Sequence, residues 1–222
     1  MDIRLQTPFT MMIAGGSGCG KSTLVSRIIT EADTVMDRVP SKIVIAYSRM
    51  QSLYHTMVEK APCPVSFIEG LPEDFKTEPN TLIIIDDLQG SNYTRSISDW
   101  FTKNSHHYDT SVLYLVQNVF DKRPEHKTAS LNAHYMVVFK NPRDASQIMH
   151  LAKQMFPSNP QVMVDAYQQA TQKAHGYLVL DFRQGTDDLY RLREGLFPSE
   201  GVYVYVDYKN ASVPYSEYIQ HG

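Results

Sequence analysis

Four glycines, a lysine and a serine at residues 15–22 form the stretch with the clearest chemical meaning. The sequence there, GGSGCGKS, fits the pattern G-x-x-x-x-G-K-[ST]. Glycines let the backbone turn its N–H groups inward around phosphate oxygens. Lys21 is expected to reach the β- and γ-phosphates of a nucleoside triphosphate, and the Ser22 hydroxyl to bind Mg²⁺. The predicted nucleotide contacts are Gly15, Gly16, Ser17, Gly18, Cys19, Gly20, Lys21, Ser22 and Thr23.

The flanks of this loop decide between a phosphate loop and a chance glycine-rich turn. Residues 9–14 (FTMMIA) are apolar and predict a strand, and residues 24–29 follow with helical spacing. Strand, glycine loop and helix in this order are what a phosphate-binding loop requires, because the first N–H groups of the helix then face the anion. The sequence therefore favours the phosphate loop over the chance turn.

Two adjacent aspartates mark a second chemical position, at the end of residues 81–87 (TLIIIDD). Four consecutive apolar residues predict a strand that is buried on both faces, as in a parallel sheet. The carboxyl end of such a strand faces the ligand, so Asp86 is expected to hold Mg²⁺ and Asp87 to orient or activate the attacking water. The alternative is that the pair caps the following helix. The phosphate loop upstream favours the catalytic interpretation.

A third polar side chain, Gln117, ends another apolar run at residues 111–117 (SVLYLVQ). An amide at this edge can hydrogen-bond the γ-phosphate or the attacking water and report which nucleotide is bound. The alternative is a polar residue that, with Asn118, begins a loop.

Composition limits the classes of protein that fit. The chain has 222 residues, a net charge of −3 and 42% hydrophobic residues, which predicts one domain with a sizeable core and no global basic field for nucleic acid. Cys19 and Cys63 form neither a disulfide framework nor a CxxC pair, which suits a reducing compartment. We expect no signal peptide and no membrane segment, because no run approaches the about 20 apolar residues of a span.

The remaining pattern alternates strands with helices and predicts a three-layer α/β sandwich. Residues 121–127 (DKRPEHK) are predicted as a charged loop whose Lys122, Arg123 and Lys127 either contact DNA phosphates or are simply solvated. We expect an ATPase domain at residues 1–198 and a C-terminal strand and tail at 199–222. The further predicted strands and helices are at residues 42–47, 51–58, 65–68, 93–104, 135–139, 145–155, 160–173, 176–182 and 202–208.

Several of these motifs together resemble the FtsK/HerA superfamily of ring-forming DNA-pumping ATPases. Within it, the chain is similar to the poxvirus-type packaging ATPases of large DNA viruses and of Polinton/Maverick elements. The runs around SHH…SV…LVQN and FKNPRD are more specific than the phosphate loop. The matching segments are GGSGCGKS at 15–22, LIIIDD at 82–87, FTKNSHHYDTSVLYLVQN at 101–118, LNAHYMVVFKNPRDASQI at 131–148 and GYLVLDF at 176–182.

The resemblance implies a P-loop NTPase with a mostly parallel, RecA-like central sheet that uses ATP and Mg²⁺. It implies that Asp86 is the metal aspartate, that Asp87 is the catalytic carboxylate where many relatives carry Glu, and that Gln117 is the sensor. An arginine finger from a neighbouring subunit is also implied. Arg143 in NPRD is the first choice for it, and Lys103 and Arg95 are the alternatives, since the usual position just before the fourth strand holds Tyr108.

For partners, the resemblance implies double-stranded DNA, other copies of this chain in a ring of five or six, and a capsid or portal vertex. It implies work inside an infected host cell, in the nucleus or cytoplasm, with association with the virion as a further option. Two other functions stay open: a P-loop nucleotide kinase, for which no arginine-rich lid is evident, and a nucleotide-gated assembly protein.

Overall fold

A computed structural model describes residues 2–86, 88, 93–120, 123–142 and 146–207. These residues form one nine-stranded sheet covered by helices on both faces. The strands are β1 (Thr10–Ala14), β2 (Lys42–Tyr47), β3 (Val65–Glu69), β4 (Thr81–Asp86), β5 (Thr110–Val116), β6 (Tyr135–Phe139), β7 (Tyr177–Asp181), β8 (Leu192–Glu194) and β9 (Tyr203–Val204). The α-helices are α1 (Lys21–Thr30), α2 (Ala32–Val35), α3 (Leu53–Lys60), α4 (Thr94–Asp99), α5 (Ser105–His107), α6 (Pro124–Asn132), α7 (Ser146–Met155) and α8 (Gln161–Ala170).

The sheet has the strand order β3-β2-β4-β5-β1-β6-β7-β8-β9. The first six strands in this order are parallel, and the last three continue the sheet with antiparallel pairing. The loops that follow β1, β4, β5 and β6 therefore meet at one edge, the carboxyl edge. Because β7 is antiparallel, its beginning rather than its end lies at this edge.

The sheet packs against its helices through two apolar cores, one on each face, because successive strand residues point to opposite faces. On one face Met11 and Ile13 of β1 pack with α1, α2 and α3, and on the other Met12 and Ala14 pack with α4, α6, α7 and α8. All described residues of β1, β4, β5 and β6 are buried, as parallel strands covered on both faces require. The predicted three-layer sandwich with a mostly parallel sheet is confirmed.

Most predicted elements lie within a residue or two of the observed ones, but the charged loop at 121–127 is partly wrong. Helix α6 begins at Pro124, with the proline in the first turn where its missing N–H costs nothing. The short strand β8 was not predicted, and the C-terminal tail from residue 208 lies outside the described residues. None of the helices in the described part of the chain has the length and apolar composition of a bilayer-spanning segment.

Candidate active site

The glycine loop lies at the carboxyl edge, between the end of β1 and the start of α1. Its first N–H group, from Gly15, donates to the Val116 carbonyl of the neighbouring strand at 3.1 Å. Helix α1 begins at Lys21, so the N–H groups of its first turn have no partner within the helix. No acidic side chain stands in that turn, and Gly20 caps it without a side-chain hydrogen bond. The helix start therefore favours an anion.

Gly15 and Gly20 are each required by the geometry of the loop. Gly20 has φ = 113°, a left-handed conformation that side chains rarely adopt. A Cβ atom at Gly15 would lie 2.5 Å from Cys19 Sγ and 2.8 Å from Phe139 Cβ, so the turn closes only without a side chain there. This tight packing is how Cys19 acts in the loop: its sulfur fills the space beneath the first glycine.

The ammonium group of Lys21 lies in the concave side of the loop. Its Nζ donates to the carbonyls of Gly15 at 2.5 Å and Gly16 at 3.2 Å. Lys21 and Ser22 are both half-buried. The lysine charge is thus held against the loop that the sequence predicted to cradle phosphates.

Asp86 ends β4 and is only 6% exposed. Its Oδ2 accepts hydrogen bonds from the Tyr54 hydroxyl at 2.7 Å and from Gln51 Nε2 at 2.9 Å. Tyr54 belongs to α3 and is itself buried, and Gln51 follows the carboxyl end of β2. The two donors fix the orientation of the carboxylate toward the loop.

One cavity of about 370 Å³ brings the predicted groups together, and we call it the loop cavity. Strand β5 lies between β1 and β4 in the sheet, so exposed Gln117 at its end stands between the glycine loop and Asp86. The loop cavity is lined by residues 17–18 and 20–23, Gln51, Asp86, residues 115–117 and His175.

The oxygen donors of the loop cavity suit a magnesium ion bound together with phosphates. Mg²⁺ takes one or two protein oxygens and completes its shell with phosphate and water, and Ser22 and Asp86 supply a hydroxyl and a carboxylate on the same cavity. Within the described residues no group of three or more His, Cys, Asp or Glu could hold a metal by itself. The Ser22 hydroxyl and the Asp86 carboxylate fit a cation that is bound together with phosphates.

Next to the loop, the end of β6 is held by a buried tyrosine. The Tyr167 hydroxyl donates to the Phe139 carbonyl at 3.2 Å and accepts from the Asn141 N–H at 2.9 Å. Burial raises the pKa of Tyr167, so the hydroxyl stays protonated and keeps this donor role. Asn141 Nδ2 in turn donates to Asn118 Oδ1 at 3.3 Å, which joins the chain after β5 to the chain after β6.

Two predicted site residues, Asp87 and Arg143, lie outside the described residues. Their roles as catalytic carboxylate and arginine finger remain predictions from the sequence and the resemblance. Of the alternatives to Arg143, Lys103 forms an ion pair with Asp99 at 3.1 Å and Arg95 one with Glu73 at 3.2 Å.

Three residues of the site were missed by the sequence interpretation: Gln51, Tyr54 and His175. Gln51 could have been found, because it follows the carboxyl end of a predicted parallel strand, as Gln117 does. Tyr54 gave no such signal. His175 precedes β7, and only the antiparallel pairing of β7 brings that position to the carboxyl edge.

His175 contacts the glycine loop from outside. Its Nδ1 lies 2.9 Å from the Cys19 carbonyl oxygen, and a Cβ atom at Gly20 would lie 3.3 Å from the same nitrogen. Its backbone has φ = 61°, which is uncommon for a residue with a side chain and is a feature that clusters at functional positions. His175 thus lines the loop cavity beside the glycine loop.

No protein-family model matches this sequence. No curated protein matches it either. Among solved structures, B204, the DNA-packaging ATPase of Sulfolobus turreted icosahedral virus, is similar, with 14% identity, a TM-score of 0.52 and coverage of 91% of this chain and 98% of B204. The genome packaging NTPase B204 of Sulfolobus turreted icosahedral virus 2, in complex with ATP-gammaS, aligns with 13% identity and a TM-score of 0.47, covering 93% and 98% of the two chains. At these identities the likeness concerns the fold, and the chain has the α/β P-loop NTPase fold.

Proposed function

We propose that this protein is an ATP-hydrolysing motor that moves double-stranded DNA of a virus, or of a virus-like element, into a capsid. The observation that carries the enzymatic part is the loop cavity. One space of about 370 Å³ is lined by Lys21, Ser22, Asp86 and Gln117, which come from the first turn of α1 and from the ends of two strands, β4 and β5. A cation, a hydroxyl, a carboxylate and an amide are the set that triphosphate hydrolysis uses.

Each of these residues has a distinct task in the proposed reaction. The loop N–H groups and Lys21 bind the β- and γ-phosphates and offset the charge that develops between them. Ser22 and Asp86 hold Mg²⁺, which supplies further charge neutralisation when bound. Gln117 is placed to hydrogen-bond the γ-phosphate or the attacking water. Asp87, which follows Asp86 in the chain, is proposed to orient that water.

The DNA and capsid parts of the proposal have different support. The SHH…SV…LVQN and FKNPRD segments resemble those of viral packaging ATPases, and the fold is similar to that of B204, which is described as a DNA-packaging ATPase. We propose by the same reasoning a ring of five or six copies that works at a capsid or portal vertex within an infected cell. Arg143 is then proposed to act on the nucleotide of a neighbouring subunit.

The test is steady-state ATP hydrolysis with and without duplex DNA, alongside the measured mass of the assembly. We expect Mg²⁺-dependent hydrolysis that duplex DNA accelerates several-fold, by a ring rather than a monomer. A Lys153→Ala variant serves as the control, because this exposed lysine lies on α7, away from the loop cavity. A Lys21→Ala variant gives the background rate of ATP hydrolysis in the absence of a working site.

Other outcomes would select the rival functions. Hydrolysis that is indifferent to duplex DNA and coupled to assembly would favour a nucleotide-gated scaffold. Transfer of the γ-phosphate to a nucleoside monophosphate would favour a kinase. Intact hydrolysis in Lys21→Ala would remove the loop cavity as the site.

A further inference from the structure

A second cavity, of about 590 Å³, adjoins the loop cavity, and we call it the lateral cavity. Its walls are α1, the segment before β7 and the segment from β8 to β9, represented by Arg27, residues 173–177, Glu194, Glu200 and Tyr203. The size lies within the roughly 300–1,000 Å³ of clefts that hold small ligands. Gly20, Thr23 and His175 line both cavities, so the two spaces share a wall at the glycine loop.

The direction of a bound triphosphate follows from the residues at the far wall of the loop cavity. Asp86 and Gln117 mark the end where the γ-phosphate and its metal belong. The nucleoside must therefore leave on the side of Gly20, Thr23 and His175, which is where the lateral cavity begins.

Another cleft that touches the loop is too small to take a nucleoside. It lies beside Gly15 and Gln117 and measures about 10 Å³, which is about enough for one water molecule. The lateral cavity is thus the space of adequate size that continues the loop cavity in the described part of the chain.

The lateral cavity has a fixed wall on its C-terminal side. The Arg27 guanidinium forms ion pairs with Glu31 on its own helix and with Glu200, and it lies 3.7 Å from the centre of the Phe197 ring. Residues 197–200 are thereby attached to the helix that begins at the glycine loop. The cavity is preformed, which lowers the entropy cost of binding.

The side chains of this wall favour contact with a flat ring over base-specific hydrogen bonds. Tyr203 is 66% exposed and lines the cavity, so its ring is accessible to a ligand there. Among the described residues the two carboxylates of the lining are already engaged: Glu194 accepts from the Tyr205 hydroxyl at 2.6 Å, and Glu200 is paired with Arg27. The exposed tyrosine ring is therefore the feature of this wall that suits a purine base.

We propose that the lateral cavity binds the base and ribose of a purine nucleoside triphosphate, with the base stacked on Tyr203. His175 then lies at the junction of the two cavities, beside the α-phosphate. Stacking does not depend on the identity of the base, and the larger purine ring offers more contact than a pyrimidine. ATP and GTP therefore bind with affinities within about tenfold of each other, and CTP and UTP bind more weakly. This inference rests on the proposed nucleotide site.

The test compares nucleotide with inorganic tripolyphosphate, which has the phosphates but no nucleoside. In calorimetric titrations Tyr203→Ala is expected to weaken ATP binding about tenfold and to leave tripolyphosphate binding unchanged. Tyr203→Phe should retain ATP affinity, because the ring remains. Val204→Ala is the matched control: it shares β9 with Tyr203 and is also exposed but does not line the cavity.

Photolabelling of the unmodified protein with 8-azido-ATP gives an independent measurement. We expect the label on peptides that contain residues 173–177 or 194–203. Labelling confined to peptides from other elements, or equal loss of ATP and tripolyphosphate binding in Tyr203→Ala, would overturn the base site. An unchanged ATP affinity in Tyr203→Ala would also overturn the base site.

Failure of the proposed function has a different signature. In that case the unmodified protein binds neither ATP nor tripolyphosphate, or Lys21→Ala leaves both affinities unchanged. If Lys21→Ala abolishes both while Tyr203→Ala changes neither, the nucleotide site stands and the base site is wrong.

Discussion

The two edges of the sheet carry similar polar residues in opposite arrangements. At the carboxyl edge, Lys21, Asp86 and Gln117 surround an open cavity. At the amino edge, the carboxylate of Asp181, 1% exposed, accepts hydrogen bonds from Arg183 at 3.0 Å and from Arg193 at 3.4 Å. The strand ends of the amino edge thus satisfy each other's charges within the protein.

The amino edge continues this pattern around β1 and β6. The Thr10 N–H donates to His134 Nδ1 at 3.1 Å, and the Gln6 N–H donates to the Tyr135 hydroxyl at 3.1 Å. Burial raises the pKa of Tyr135 to about 12, so this hydroxyl remains neutral. In the described part of the chain, none of these four residues lines the loop cavity or the lateral cavity.

The comparison teaches how to separate stabilising from functional polar residues in one sheet. A charged group that is buried and paired contributes to stability, since removal of one partner leaves the other uncompensated. A charged group that faces a cavity is available to a ligand. Substitutions at the two edges should therefore affect different measurements, and the following predictions test that separation.

The largest effect is expected at the carboxyl edge for Lys21→Ala. Loss of the ammonium group should lower the rate of ATP hydrolysis by about 1,000-fold, roughly 4 kcal/mol, because it removes charge stabilisation of the phosphates. The melting temperature should stay within about 2 °C of the unmodified protein, because the hydrogen bonds of the lysine to described residues are to loop carbonyls. A large fall in melting temperature with an unchanged hydrolysis rate would mean that Lys21 stabilises the fold and does not act on the nucleotide.

The second effect is expected at the amino edge for Asp181→Asn. The change leaves buried Arg193 without its anionic partner and should lower the free energy of unfolding by about 3 kcal/mol, measured by urea denaturation. Hydrolysis per folded molecule should not change. Asp188→Asn is the control: its side chain is 86% exposed, so its pair with Arg191 should contribute at most about 1 kcal/mol.

A smaller effect is expected for the donors that hold Asp86. Gln51→Ala and Tyr54→Phe each remove one hydrogen bond to its carboxylate and should lower the hydrolysis rate about tenfold, with a raised requirement for Mg²⁺. The measurement is the rate as a function of Mg²⁺ concentration. His55→Ala changes an exposed residue next to Tyr54 on α3 and should have no effect on the rate. Equal loss of rate in all three variants would point instead to damage of α3 and of the segment that leads into it.

The smallest effect concerns pH at the amino edge. Burial, then the nearby His106 and Arg183, lower the pKa of His134 below its ordinary value of 6.5, while Asp181 opposes the shift. As the pH falls, the unfolded chain therefore takes up a proton on His134 before the folded protein does. The contribution of neutral His134 to stability is complete above pH 6.5 and is lost as the pH falls from 6.5 toward the folded-state pKa.

The variant His134→Asn keeps an acceptor for the Thr10 N–H but cannot titrate. Its melting temperature should fall less between pH 7.5 and pH 5.5 than that of the unmodified protein. His107→Asn, a change at an exposed position, should preserve the full dependence. An unchanged dependence in His134→Asn would assign the acid sensitivity to other groups.

The sequence predicts the central strands well because their apolar runs have no competing interpretation. Residues 42–47 and 135–139 match β2 and β6 residue for residue. The strand ends alone also predict that the glycine loop, Asp86 and Gln117 lie at one edge of the sheet, where the structure has them. The start of α6 was missed because charged residues at 121–127 hide the helix signal of Pro124.

The rest of the site depends on pairings that the sequence does not encode locally. β8 has three residues, one of them the buried Arg193, so neither its length nor its composition predicts a strand. His175 reaches the glycine loop only because β7 runs antiparallel to β6. The next antiparallel pairings place β9 at the end of the sheet, where Tyr203 lines the lateral cavity together with α1.

The tie between Arg27 and Glu200 has a practical consequence for anyone who shortens this protein. A chain cut after residue 198 would keep the glycine loop, Asp86 and Gln117, and its sequence would still read as a complete ATPase. It would lack Glu200 and Tyr203, so Arg27 would lose its ion pair with Glu200 and the lateral cavity would lose part of its wall. Such a truncated protein should still bind phosphates but should bind the nucleoside weakly. Slow ATP hydrolysis in it would therefore reflect the missing wall of the lateral cavity and not the loss of a catalytic residue.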